Sequence, residues 1–245
     1  MVFQFFADYL KHRLTAKSRH GTHSPFVYKL TDEVIYDFSS NKIYDEVEEK
    51  RKKLLHDVKN NSNIVSQGSK NKVKPTHLAQ LIFRLAANQQ PNHIIEVGTG
   101  LGITTAYLSR AKPQADILTI ESNAEVAKIA HQNFIDFGLK NIELQVGNFN
   151  ELLPKAIAAT EKLDLVSING KHTKETILNL FNWCLPKIHE GSLLIFDDIY
   201  WSQEMKEAWT TIKNHPEVTV TVDLFWMGLV YFRKGQAKEH FKIKF

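Results

Sequence analysis

The 245-residue sequence predicts an α/β fold built on a mainly parallel sheet. Three observations carry that reading. After Pro75, short β-branched runs alternate with helical patterns, the signature of a sheet flanked by helices on both faces. The last alternation breaks: "VTVTVDLFWMGLVYFRK" holds two strands separated by a few residues, too few for a crossover helix, so they form an antiparallel hairpin. The first 75 residues lack this rhythm, and their pattern reads as a helical extension with a loop, which divides the chain into residues 1–75 and 76–245.

In chain order, "MVFQFFADYLKHRL" repeats Phe3, Phe6, Ala7, Leu10 and Leu14 at three- and four-residue steps. This is an amphipathic helix, and its apolar face is expected to pack on its own protein. "RHGTHSPFVYKL" turns at Gly21 and Pro25; His20 and His23 have no third ligand close in sequence, so they do not make a zinc site. "KIYDEVEEKRKKLLHDVKNN" is a charged helix, and "SNIVSQGSKNKVKP" a polar, basic loop or lid. Strands follow at "HIIEV", "DILTI", "IELQV", "LDLVSI" and "SLLIF". Helices alternate with them at "TTAYLSRA", "AEVAKIAHQNFIDFG", "LLPKAIAAT", "ETILNLFNWCLPKI" and "EMKEAWTTIKNH".

Composition sets the outer bounds. With 43% hydrophobic and 24% charged residues the chain is a globular protein rather than a disordered one. The net charge of +4 comes from 31 basic and 27 acidic residues spread along the chain, so it points to no nucleic-acid partner. The single cysteine, Cys184, excludes an intrachain disulfide and a multi-cysteine metal site, and its apolar setting reads as a buried thiol. No apolar run approaches the roughly 18 residues needed to span a bilayer, and the start lacks the features of a secretory signal. The expectation is a cytoplasmic protein with no membrane partner.

Ligands of open α/β sheets bind at the carboxyl ends of the strands. There the first strand runs into "EVGTGLG", whose glycines allow the tight turn and close backbone approach that a nucleotide needs. A nicotinamide-dinucleotide loop would carry its third glycine at 103. That position is Ile103, and the glycine falls at 102, which together with Glu96 argues for another cofactor. About twenty residues on, Glu121 closes the second strand, where a carboxylate accepts hydrogen bonds from both hydroxyls of a ribose. Asn148, after the third strand, either addresses an adenine edge or caps the following helix.

"EVGTGLG", "LTIES", "GNFNELLP", "LDLVSING" and "GSLLIFDDI", in that order and followed by the hairpin, resemble the class I S-adenosylmethionine-dependent methyltransferases. The resemblance covers residues from about 75 to 234. Its later half is most similar to small-molecule O-methyltransferases of the catechol and caffeoyl-CoA type, and "RHGTHSPFVYKL" resembles a leader seen in bacterial members. It implies a Rossmann-like, seven-stranded sheet of order 3-2-1-4-5-7-6, S-adenosylmethionine as methyl donor and a small-molecule hydroxyl as acceptor. It also implies pairing of two copies through the N-terminal helices.

Carried over position by position, the resemblance places Glu96, Gly98, Thr99, Gly100 and Gly102 around the methionine and ribose. Thr104 falls at the methionine carboxylate, Glu121 and Ser122 at the ribose, Asn148 and Phe149 at the adenine, and Asn169 among the cofactor-binding residues. On the acceptor side it implies Asp197 nearest the transferred methyl, with Asp198 beside it. His172, next to Lys171, stands where metal-dependent relatives carry a lysine base, and an imidazole accepts a proton near neutrality. Those relatives bind Mg or Ca through Asp residues. Asn169 replaces one of them and removes a charge from a hard-cation site, which weakens it. Trp201 and Trp226 fall where they either wall an acceptor pocket or pack in the core. Two rival readings stand: a nucleic-acid or protein methyltransferase on the same fold, and a non-catalytic cofactor-binding protein.

Overall fold

Helix α1 (Val2–Thr15) leads through a short 3-10 turn at Arg19–Gly21 into α2 (Pro25–Leu30). Pro25 occupies the first helical position of α2, and Ser24 Oγ accepts the Val27 N–H at 3.5 Å, a side-chain cap for donors that the helix itself leaves unpaired. The computed structural model describes residues 2–21, 23–60, 73–170 and 172–245. The side chains of residues 2, 3, 20 and 57–60 lie outside that description, as do most of the expected lid, Lys171 and the His20 ring. By contacts the chain forms two units, residues 1–37 with 154–245, and residues 38–153.

Helix α1 departs from expectation. Among its described side chains His12 is buried, as is Ala16 just past its end, and Phe5 and Tyr9 meet aromatic rings, whereas Phe6, Leu10 and Leu14 are 56%, 46% and 85% exposed. The helix has two apolar faces, one aromatic and one mainly aliphatic, with Phe6 beside Leu10 and Leu14, and periodicity alone cannot say which one docks. Ring-on-ring packing decided it.

In the unit of residues 38–153, α3 (Lys42–Asn60) and α4 (Thr76–Gln89) precede β1 (His93–Val97), α5 (Ile103–Ala111), β2 (Asp116–Glu121), α6 (Ala124–Asp136) and β3 (Ile142–Val146). Helix α4 was not anticipated, although Leu78, Leu81, Ile82 and Leu85 are buried at helical spacing. Strands β1, β2 and β3 pair in parallel with Val97 opposite Ile120 and Glu121 opposite Val146, so their carboxyl ends are level. Val47, Ala79, Phe83, Ala106 and Tyr107 form one core of α3, α4 and α5. Glu48 ties it by accepting from Thr76 Oγ1 at 2.8 Å and from Tyr107 OH at 3.0 Å.

Helix α7 (Phe149–Ala159) carries the chain into the other unit, where β4 (Leu165–Ile168), α8 (Lys174–Cys184), β5 (Leu193–Asp197), α9 (Gln203–Asn214), β6 (Val220–Asp223), β7 (Met227–Tyr231) and β8 (Glu239–Lys242) follow. Strands β4 and β5 are parallel, β7 runs antiparallel to β5 and β6, and β8 adds in parallel to β6. The expected order is found as 3-2-1 in one unit and 4-5-7-6 in the other, with an eighth strand outside β6. That strand, "EHFK", is short and mostly charged, so no hydrophobic alternation announces it. Cys184 is buried, and burial pushes its thiol up to about 12, which makes it unreactive.

Candidate functional site

Beyond β1 the chain turns through Gly98, Gly100 and Gly102, all left-handed with φ of 88°, 56° and 80°. At Gly102 two constraints coincide. Besides its φ, a Cβ there would come within 2.5 Å of the Phe134 ring, so only glycine lets α6 close on the loop. Gly102 is the N-cap of α5 and offers no side-chain acceptor, so the first N–H groups of this helix, Thr104 among them, present a partial positive charge. Thr104 itself is buried.

Glu121 ends β2 at 4% exposure, and the backbone fixes its carboxylate. Oε2 accepts the Gly100 N–H at 2.9 Å and Oε1 the Asn123 N–H at 3.0 Å. A carboxylate oxygen accepts more than one hydrogen bond, so this orientation leaves acceptor capacity for a vicinal diol. Ser122 follows and is exposed.

Glu96 lies under the loop, fully buried. Its Oε2 accepts Thr105 Oγ1–H at 2.5 Å and Thr119 Oγ1–H at 2.7 Å, and Thr99 Oγ1 bonds Thr119 Oγ1 at 2.6 Å. The carboxylate thus braces strand, loop and the start of α5 from within. Asn148 caps α7: Oδ1 accepts the Asn150 N–H at 3.0 Å and the main-chain oxygen accepts from Glu151 and Leu152. The cap uses Oδ1 and does not engage the two Nδ2 donors. Phe149, half-buried, opens the helix.

In the other unit, β4 and β5 end side by side, and the pairing of Ile168 with Phe196 sets Asn169 next to Asp197. Asn169 Oδ1 accepts from Ser167 Oγ at 3.3 Å, and its carbonyl oxygen lies 3.0 Å from His172 Nε2. A carbonyl only accepts, so Nε2 carries the proton, and the neutral ring has its lone pair on Nδ1. Burial lowers the His172 pKa from its ordinary value, against the opposing pull of the Asn169 carbonyl and the Asp197 charge. The imidazole is therefore neutral at pH 7. Asp198, next after β5, is left-handed at φ 53° and donates its N–H to the Trp226 carbonyl at 2.8 Å.

Asn169, Asp197 and Asp198 are oxygen donors of the kind a hard cation takes, with two carboxylates rather than three. Among the described residues no three His, Cys, Asp or Glu side chains are grouped as metal ligands. The donor set fits a divalent cation poorly.

One further cluster was not visible in the sequence. Asp223 is 2% exposed; its Oδ1 lies 3.0 Å from His12 Nε2 and accepts the Phe225 N–H at 2.9 Å, and its Oδ2 accepts Tyr200 OH at 2.8 Å. Burial pushes the carboxyl up, but His12, the Phe225 amide and Tyr200 together outweigh burial and hold it below the ordinary value. The cluster fixes Phe225, a bulky residue at φ 70°, stacked on Tyr200 at 4.7 Å between centroids. Phe225 and Trp226 in turn meet Phe5 and Tyr9 of α1. Trp201 packs edge-on against Phe5 and is 38% exposed, and Trp226 is mainly a packing residue. His12 stands on the aromatic face of α1 and Asp223 ends a strand, but nothing in the sequence joins two residues 211 apart.

Strand order, glycine loop and hairpin define a Rossmann-like methyltransferase fold. The S-adenosylhomocysteine-bound methyltransferase PaMTH1 of Podospora anserina shares it with a TM-score of 0.64 at 12% identity, over 87% of this chain and all of that one. The SAM-bound O-methyltransferase TomG of Streptomyces achromogenes, involved in tomaymycin synthesis, has a TM-score of 0.62 at 18% identity, over 84% and 95% of the two chains. At the level of sequence, residues 95–199 match a family described as a methyltransferase domain. The catechol O-methyltransferase of Niastella koreensis is 26% identical over 123 residues, 49% of this chain and 53% of that one, so the chain spans about half of this relative's length.

Proposed function

We propose that the protein is an S-adenosylmethionine-dependent methyltransferase that acts on a hydroxyl of a small-molecule acceptor. The observation that carries this reading is Glu121, a buried strand-end carboxylate held by the amides of Gly100 and Asn123 beside three left-handed glycines. The uncapped start of α5 suits the methionine carboxylate, Glu121 the ribose hydroxyls, and Asn148 with Phe149 the adenine. Glu96 keeps the loop in shape from below. When bound, the cofactor supplies an activated methyl group on a sulfonium, so orienting the acceptor oxygen accounts for much of the rate.

On the acceptor side, His172 Nδ1 takes the proton that the hydroxyl loses as its oxygen attacks the methyl carbon. Asp197 positions that hydroxyl, and Asp198 shapes the strand end through its bond to Trp226. No step passes through a metal. Similarity to O-methyltransferases supports the reading, and the neutral state of His172 suits it.

Thermal shift and calorimetry with S-adenosylhomocysteine, NAD and NADP test the cofactor. At a ligand concentration 100-fold above its Kd, S-adenosylhomocysteine is expected to stabilise the protein by about 2.7 kcal/mol. The dinucleotides should do nothing, and stabilisation by a dinucleotide alone would overturn the assignment.

A further inference from the structure

The aliphatic face of α1 remains uncovered in the unit to which it belongs. Phe6, Leu10 and Leu14, one turn apart in succession, form an exposed stripe, and Leu14 is 85% exposed. Lys11 and Arg13 flank it and Lys17 follows, all three exposed. The one acid of the helix, Asp8, accepts a bond from Lys206 Nζ at 2.7 Å and is turned away from the stripe. The basic character continues past the helix. Lys17 donates its N–H to the Lys242 carbonyl at 2.8 Å and accepts from the Lys244 N–H at 3.0 Å. Ile243 between them is fully buried, so strand alternation sends Lys242 and Lys244 to the opposite face.

We infer that this face of α1 seats the protein on an anionic lipid surface. Apolar side chains in line, rimmed by lysine and arginine, match the boundary between acyl chains and phosphates, where the long basic side chains reach the headgroups. Seating is peripheral, since no helix among the described residues is long and apolar enough to cross a membrane. A second copy fits less well. Two α1 helices paired about Leu10 would bring Lys11 of one towards Arg13 of the other, and Asp8, the acid of the helix, is engaged by Lys206 instead. Three side chains also fall far short of the roughly 800 Å² per partner of a specific interface. The inference is independent of the reaction assigned above.

Co-sedimentation of the full chain with vesicles tests it, using phosphatidylcholine alone and phosphatidylcholine mixed with phosphatidylglycerol. The protein is expected to sediment with the anionic vesicles only, and less so as salt rises. Leu10→Glu with Leu14→Glu, at exposed positions, should abolish this without lowering the Tm. Arg13→Ala and Lys17→Ala should each weaken it about fivefold. Failure to bind anionic vesicles overturns the inference, as does binding that these variants leave unchanged. A dimer in sedimentation velocity that Leu10→Glu dissociates, with no vesicle binding, would give the face to a second copy instead.

Discussion

Two buried carboxylates each brace one unit of the molecule, and they are assembled in opposite ways. Glu96 draws its partners from Thr105 and Thr119, the farther 23 residues away, and Thr99 joins through Thr119, all on consecutive elements of a single βαβ unit. Asp223 draws on His12, Tyr200 and Phe225, so its cluster joins the first helix of the chain to the last hairpin. The glycine loop is held by contacts encoded locally. The terminal hairpin is closed by contacts from far along the chain. The N-terminal helix is thus packed into the same unit as the hairpin rather than being an appendage to it.

The comparison breaks most sharply at Asp223. Asp223→Ala leaves the buried His12 and the half-buried Tyr200 without their partner and releases the left-handed Phe225, with an expected loss of about 3–5 kcal/mol. At about 2–4 °C per kcal/mol for a chain of this size, thermal denaturation should report a fall on the order of 10 °C. The sign with pH follows from the depressed carboxyl. Its contribution is complete above the ordinary value of 3.8 and is lost as pH falls through the lower folded value. The Tm of the wild type should therefore drop more steeply below pH 3.8 than that of Asp223→Asn. Parallel slopes would show that the pair contributes nothing.

Gly102→Ala tests the locally encoded side. The left-handed backbone costs the alanine about 1–2 kcal/mol, and the Phe134 ring must also give way. A total of about 2–4 kcal/mol is expected, with weaker binding of S-adenosylhomocysteine, and Phe134→Leu in the same chain should recover part of the loss. Were the double variant no better than the single, the ring contact would not be the cause.

The smallest effect sharpens the contrast without damaging either cluster. His172 should titrate below 6.5, followed by NMR of its ring protons. A pKa at or above 6.5 would remove the argument for a neutral base at pH 7.

The parts of this fold that could be read beforehand are those in which neighbours in sequence are neighbours in space. The five parallel strands, the hairpin and the glycine loop follow from β-branched runs and turn residues, and the departure at Ile103 separated this loop from a dinucleotide one. Helix α4 had the required spacing and was missed beside the stronger signal of β1. Strand β8 offered no signal, because its identity depends on an edge of β6 that exists only after folding. The docking face of α1 was misjudged for a related reason: two faces were apolar, and the partner that chose between them lies more than two hundred residues away. Of the candidate site, Glu121 was argued from position alone, whereas the cap at Asn148 and the tautomer of His172 depend on backbone oxygens that no sequence displays.

The pairing of Lys17 with Ile243 sets a schedule for the growing chain. Residues 38–153 are contiguous, so every partner they need within their own unit is present once residue 153 has left the ribosome. The first 37 residues share a unit with residues 154–245, so α1 meets Asp223, Phe225 and Trp226, and Lys17 meets Ile243, only late in synthesis. Until then α1, with an aromatic face and an aliphatic face both uncovered, is the segment for which a nascent-chain chaperone has the most to hold.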